Sequence, residues 1–181
     1  MLKEIEQVQK NAQQLYSEAD VEAALDNMAK EITTVLATQN PIVLCVMNGG
    51  IVTAGKLLPK LDFPLMLDAI NASRYGQQTS GSEINWIQKP ASSLKDRVVL
   101  VIDDILDQGL TLEAIYQYCR EQGASHLYSA VLIDKQLNTD KPIQADFVGL
   151  SVADLYVYGY GMDYKGYLRN APGIYACAIA E

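Results

Sequence analysis

Histidine occurs once in the 181 residues, at His126, and cysteine three times, at Cys45, Cys119 and Cys177. A single imidazole excludes a histidine-built metal centre, and no two of the thiols have metal-ligand or redox spacing. Cys45 and Cys119 fall in apolar patterns, where a buried free thiol is expected, and a reducing cytoplasm is the simplest compartment for them. Long apolar runs are also missing. The longest, 41–47 and 98–102, are strand-sized, whereas a bilayer span needs roughly 20 apolar residues. The opening MLKEIEQVQK alternates charge and has no apolar stretch, which reads against a secretory signal and leaves no membrane partner expected. Positive charge is scarce: 14 Lys and Arg against 22 Asp and Glu give a net charge of −8. A nucleic-acid binder needs a basic stripe, so none is expected here. Small phosphorylated ligands stay open, because backbone N–H groups and bridging Mg2+ can hold them.

What is present is an ordinary globular balance, 49% apolar and 20% charged, in a length that suits one domain with a sizeable core. The chain up to about Gln39 reads as helical. Ser17 and Asp20 resemble a capping box, and Val21, Ala24, Leu25, Met28, Ile32 and Leu36 follow at helical spacing. Asn40-Pro41 ends that helix. Residues 42–47 read as a buried parallel strand, and Gly49-Gly50 opens a short helix over 51–58. Residues 63–73 are a second strand. The polar stretch 74–90 is a long loop with room for a hairpin, either a working lid or disorder, and Trp86 argues against disorder. Residues 98–102 form a third strand, a helix follows over 111–121 with Gly123 at its end, and 125–134 form a fourth strand. The tyrosine-rich tail, 146–181, carries short strands. The alternation of strand and helix predicts an α/β fold with a central, mostly parallel sheet flanked by helices. The predicted organisation is one domain over 1–181. Its core spans about 40–140, and a small hood comes from the N-terminal segment and about 145–181.

The chemistry concentrates at 98–111, VVLVIDDILDQGLT. Ligands of open α/β sheets sit at the carboxyl ends of strands, which is where Asp103 and Asp104 fall. The stretch Asp107 to Thr111 opens a helix whose free N–H groups suit a phosphate, with Gly109 allowing close approach and Thr111 adding a hydroxyl. Two carboxylates for vicinal hydroxyls and an anion cradle one turn later match a ribose 5-phosphate. An Asp before a helix is ordinarily a cap, but the whole DDxxDxGxT pattern asks for more. Neither GxxxxGK[ST] nor GxGxxG is present.

This segment resembles the signature of type I phosphoribosyltransferases that binds PRPP (5-phosphoribosyl-1-pyrophosphate), most closely the hypoxanthine-guanine branch. VLCVMNGG is similar to that family's pyrophosphate loop, and ADFVG, YVYGYGMDY and YLR to its purine-binding hood. The resemblance implies transfer of phosphoribosyl from PRPP to a 6-oxopurine base with Mg2+. By it, Asp103 and Asp104 bind the ribose hydroxyls and metal, and Asp107 is the general base. Gln108, Gly109, Leu110 and Thr111 hold the 5-phosphate. Asn48, Gly49, Gly50 and Arg169 hold pyrophosphate, with a cis peptide common before the Asn48 position. Lys135 reads the purine 6-oxo group, Tyr156 stacks on the base, Val157 offers its backbone, and Asp163 serves a second metal site beside the base. Arg74, Tyr75 and Gly76 open the mobile lid, 74–90. A homodimer or homotetramer is implied as well.

The sequence departs from that family at four places. Asn48 stands for a common lysine, Gln108 and Leu110 for threonine and lysine, and Arg74 for serine. The grip on phosphate is therefore expected to rest on backbone and Thr111. Two other readings compete with the transferase. One is an RNA-binding regulator on the same fold, which the acidic charge opposes. The other is an inactive relative that only binds nucleotide, which the full set Asp103, Asp104, Asp107, Lys135 and Asp163 opposes. His126 lies apart from all of these residues and reads as structural.

Overall fold

The computed structural model of the chain describes residues 1–74 and 84–178. Helix α2 (Glu18–Leu36) starts at the cap the sequence offers. The Ser17 hydroxyl accepts from the Asp20 amide at 3.3 Å, and the Asp20 carboxylate accepts from the Ser17 amide at 2.8 Å. Its stripe of Val21, Ala24, Leu25, Met28, Ile32 and Leu36 is buried. The segment before it is not helical throughout, as the pattern had suggested. Helix α1 (Leu2–Asn11) ends, and strand β1 (Gln13–Ser17) follows. Two causes act. The capping residue must be extended, as Ser17 is at φ −74° and ψ 169°. The backbone of β1 also finds its partners in β9 (Gly173–Ala176), at the far end of the chain.

The central sheet has the order β4-β3-β2-β5-β6-β7. Its strands are β2 (Ile42–Val46), β3 (Met66–Arg74), β4 (Ile84–Gln88), β5 (Val98–Leu106), β6 (His126–Gln136) and β7 (Phe147–Ala153). All neighbours are parallel except β3 and β4. Helices α3 (Gly50–Leu57) and α4 (Leu110–Glu121) complete the layers. Val43, Cys45, Leu100 and Ile102 pack with α2 and α3 on one face. Ile42, Leu44, Val99 and Val101 pack with Ile115 and Cys119 of α4 on the other. Burial on both faces explains the unbroken apolar runs. For the four fully buried residues 99–102 of β5 it is worth about 6–12 kcal/mol.

Two strand boundaries differ from expectation. Strand β5 continues past Asp103 and Asp104 to Leu106, because β6 runs alongside and pairs Ile105 with Ile133 and Leu106 with Asp134. For the same reason β6 reaches Gln136, so Lys135 lies inside a strand. The long polar segment is partly a hairpin: β4 pairs antiparallel with β3, and Trp86 packs 5.0 Å from the Tyr118 ring. Arg74 closes β3. Tyr75 and Gly76, expected to open a lid, lie outside the described residues.

A second sheet, β1-β9-β8, is built from both ends of the chain, with β8 covering Val157–Tyr158. Among the described residues no helix is long and apolar enough to cross a membrane. Cys45 and Cys119 are buried free thiols, with burial pushing the first up to about 11 and the second to about 12. His126 is exposed at the start of β6.

Candidate active site

A cleft of about 500 Å³ opens at the carboxyl ends of β2, β5 and β6, with β8 and the turn after it as the opposite wall. Asn48, Gly49, Asp103, Asp104, Asp107, Gln108, Gly109, Leu110, Thr111, Lys135, Tyr156, Val157, Asp163 and Arg169 all line it. Gly50 does not. It lies behind the cleft, where an added Cβ would come within 2.7 Å of the Ile102 carbonyl.

Strand β5 supplies the acidic floor. The Asp104 amide donates to Asp103 at 2.9 Å, and the Ile105 amide donates to Asp104 at 2.8 Å. Removal from water raises the pKa of both carboxyls, Asp103 well above the carboxylate range, where the Asp104 charge adds to the effect. Arg169 lies 3.9 Å from Asp104. Gly49 is required here, since any Cβ would run into the Asp104 carboxylate. The peptide between Met47 and Asn48 is cis.

Helix α4 begins one residue earlier than expected. Gly109 is its cap, in the left-handed region at φ 81°, with no side chain bonded across the first turn. The first amides of α4 are therefore turned toward an outside acceptor. Asp107 is not a cap. Its carboxylate is 3.2 Å from the Lys135 ammonium, which also lies 3.8 Å from Asp154. Lys135 is 12% exposed and Asp107 50%, so the acid faces the opening and the lysine sits below it.

On the opposite wall Tyr156 is 51% exposed and meets the Tyr164 ring edge-on at 5.6 Å. Burial raises its hydroxyl pKa, with the Asp163 charge adding to the shift. Asp163 accepts from the Gly166 amide at 2.7 Å and pairs with Arg169 at 2.6 Å. Arg169 also donates to the Gly161 carbonyl at 2.5 Å. The three carboxylates expected to serve metal thus divide between two walls. Among the described residues no group of three or more Asp, Glu, Cys or His could hold an ion. The adjacent pair still fits a hard divalent cation. Buried Asp104 and half-buried Asp103 stand side by side with Arg169 3.9 Å from Asp104, and Mg2+ binds through one or two carboxylates while water and substrate oxygens fill the rest.

Sequence reasoning missed Gly161 and Asp154. Gly161 sits at φ 109°, and a Cβ there would strike the Gly49 carbonyl, so the two walls touch at a pair of glycines. The run Gly159-Tyr160-Gly161 was the available signal. Asp154 carried none, since one acid in a loop is ordinarily a solvated residue.

Residues 11–165 match the family model of the Phosphoribosyl transferase domain. The chain is 33% identical over 170 residues to the hypoxanthine-guanine phosphoribosyltransferase of Bacillus subtilis, covering 92% of this chain and 94% of that protein. It is 31% identical to the hypoxanthine-guanine-xanthine phosphoribosyltransferase of Tritrichomonas foetus, covering 88% of each. Among solved structures, a hypoxanthine phosphoribosyltransferase from Staphylococcus aureus superposes with a TM-score of 0.86 at 28% identity, over 92% of this chain and 91% of that one.

Proposed function

The chain belongs to the phosphoribosyltransferase family, and from that membership we propose that it is a purine-salvage enzyme. It transfers the 5-phosphoribosyl group of PRPP to N9 of hypoxanthine or guanine, releasing pyrophosphate and forming IMP or GMP. One observation supports this reading above the others. The Lys135 donor and the Asp107 acceptor stand 3.2 Å apart at the mouth of the cleft. A 6-oxopurine carries the matching pair on one edge, the O6 acceptor beside an N7–H donor. Adenine presents an amino donor in place of O6, so two donors would face each other and that hydrogen bond would be lost, a cost of about 1–3 kcal/mol.

Asp103 and Asp104 receive the ribose hydroxyls, and the first amides of α4 with Thr111 receive the 5-phosphate. Tyr156 stacks on the base. The N9 lone pair forms the bond to C1 as the C1–oxygen bond to pyrophosphate breaks. Pyrophosphate leaves with that electron pair, and Asp107 takes the N7 proton. Arg169, Asn48 and the Gly49 loop hold the leaving group. Mg2+ held at Asp103 and Asp104, with a second ion near Asp163, would neutralise charge on the pyrophosphate oxygens. We read the lid as Arg74 onward, the assembly as a homodimer or homotetramer, and the location as cytoplasmic, where three free thiols stay reduced.

A panel of bases with PRPP and Mg2+, followed by absorbance, tests the assignment. Turnover of hypoxanthine and guanine is expected. Failure on both with turnover of another base would move the substrate class. Xanthine is the second reading, favoured by the similarity to the Tritrichomonas enzyme and by Lys135, which cannot separate 6-oxopurines. Asp107→Asn is expected to lower kcat about 100-fold, and an unchanged kcat would remove the general base.

A further inference from the structure

The 5-phosphate loop, 108–111, contains no lysine or arginine. Among the described residues the cations lining the cleft are Lys135 and Arg169, and each is already held by a carboxylate, Asp107 and Asp163. A cradle without its own charge depends on how accurately its amides are aimed. The aim is set where the chain leaves β5. At that point Lys141, 12% exposed and outside the cleft lining, donates to the Leu106 carbonyl at 2.7 Å. Its ammonium also donates to Asp134 Oδ1 at 2.6 Å, while Gln136 donates to the other oxygen of that carboxylate at 2.8 Å. Leu106 and Asp134 are register partners on β5 and β6, so the ammonium ties together the last pair of the two strands that carry the site.

A peptide unit is planar, so holding the Leu106 carbonyl also fixes the Asp107 amide and the direction in which the chain enters the loop. The same segment supports the loop from behind. A Cβ on Gly109 would lie 3.3 Å from Ile143 Cγ2 and 3.5 Å from Lys141 Cβ. We infer that Lys141, paired with Asp134, is a positioning residue for the 5-phosphate loop and sets its affinity for PRPP from outside the cleft. This inference rests on the transferase reading above.

The test is saturation kinetics for PRPP and for base in Lys141→Met and Lys141→Arg, with calorimetric binding of ribose 5-phosphate. In Lys141→Met the KM for PRPP is expected to rise about tenfold, the value of one charge-assisted hydrogen bond. The KM for hypoxanthine is expected to stay within about twofold, and arginine to restore most of the loss. Ribose 5-phosphate binding weakens in parallel. Should Lys141→Met not fold, Asp134→Asn loosens the same ammonium and gives the same split at smaller size. Equal changes in both KM values, or none, in a folded variant would overturn the inference and leave the transferase intact. A wild type that neither turns over any base nor binds ribose 5-phosphate would overturn the transferase reading itself.

Discussion

The two walls of the cleft are built by opposite means. One is mainly a single stretch, Asp103 to Thr111, with Lys135 and Asn48-Gly49 beside it, carried on β5, which is paired on both sides by β2 and β6 and buried on both faces. The other hangs on β8, a strand of two residues, and on a turn in which Gly159, Tyr160 and Gly161 all have positive φ, at 103°, 48° and 109°. The first wall takes its shape from burial over a large sheet, so a change at its surface leaves the frame standing. The second is too short to hold itself. It takes its place from pairing with β9, from close backbone contact, Gly161 against Gly49, and from the Arg169 bonds to Gly161 and Asp163. Substrate positioning therefore depends on missing Cβ atoms on one side and on sheet packing on the other.

Gly161→Ala attacks that difference most directly. The added carbon meets the Gly49 carbonyl, in a backbone conformation that alanine resists. A fall in kcat/KM of about 100-fold or more is expected, with the far-ultraviolet circular dichroism of the sheet retained. Activity within about threefold of wild type would mean that the second wall is held elsewhere. Lys135→Met probes the β5–β6 side. It leaves Asp107 without its partner and the purine O6 without a donor, so kcat/KM for hypoxanthine should drop about 30-fold, near 2 kcal/mol. The discrimination against adenine should shrink with it. An unchanged hypoxanthine-to-adenine ratio would sink the donor role. Tyr156→Ala removes a half-exposed ring from the second wall. Stacking on a base is worth about 1–3 kcal/mol, so the base KM rises about tenfold while the PRPP KM holds. Parallel rises in both would show that the ring organises the wall and does not meet the base.

The same contrast explains what could be read from the sequence. Asp103, Asp104, Gly109 and Thr111 lie within nine residues after one apolar run, so strand, acids and helix start are all local signals. The central sheet was legible for the same reason, because strands buried on both faces announce themselves as continuous apolar runs. The small sheet was not. Gln13–Ser17 looks helical until β9 pairs with it, and pairing between chain ends leaves no periodic trace. The strand extensions to Leu106 and Gln136 were missed because acids and a lysine ordinarily stop a strand, whereas a paired neighbour overrides propensity here. Lys141 gave no signal at all. Its two bonds exist only because the loop after β6 folds back under the end of β5.

The smallest expected effect asks whether the second wall is also anchored from behind. Tyr160 is buried beneath the turn, and its hydroxyl donates to Glu22 of α2 at 3.2 Å. That carboxylate is independently paired with Lys56 at 2.8 Å and Lys60 at 3.3 Å. Tyr160→Phe keeps the ring and leaves Glu22 with both lysines, so no charge is stranded and the cost should be about 0.5–1.5 kcal/mol. Thermal unfolding should shift by a few degrees at about neutral pH, with kcat and both KM values unchanged. The pH dependence carries a sign. Burial, with Glu22 adding to it, pushes the Tyr160 hydroxyl up to about 12 in the folded protein. The folded value lies above the unfolded one, so the contribution is complete below about pH 10 and fades as pH climbs toward 12. Wild type should lose stability over that interval more steeply than the phenylalanine variant. Identical alkaline slopes would mean the hydroxyl is not anchoring the turn, and that the glycine contact, the Arg169 bonds and the pairing with β9 hold the second wall without it.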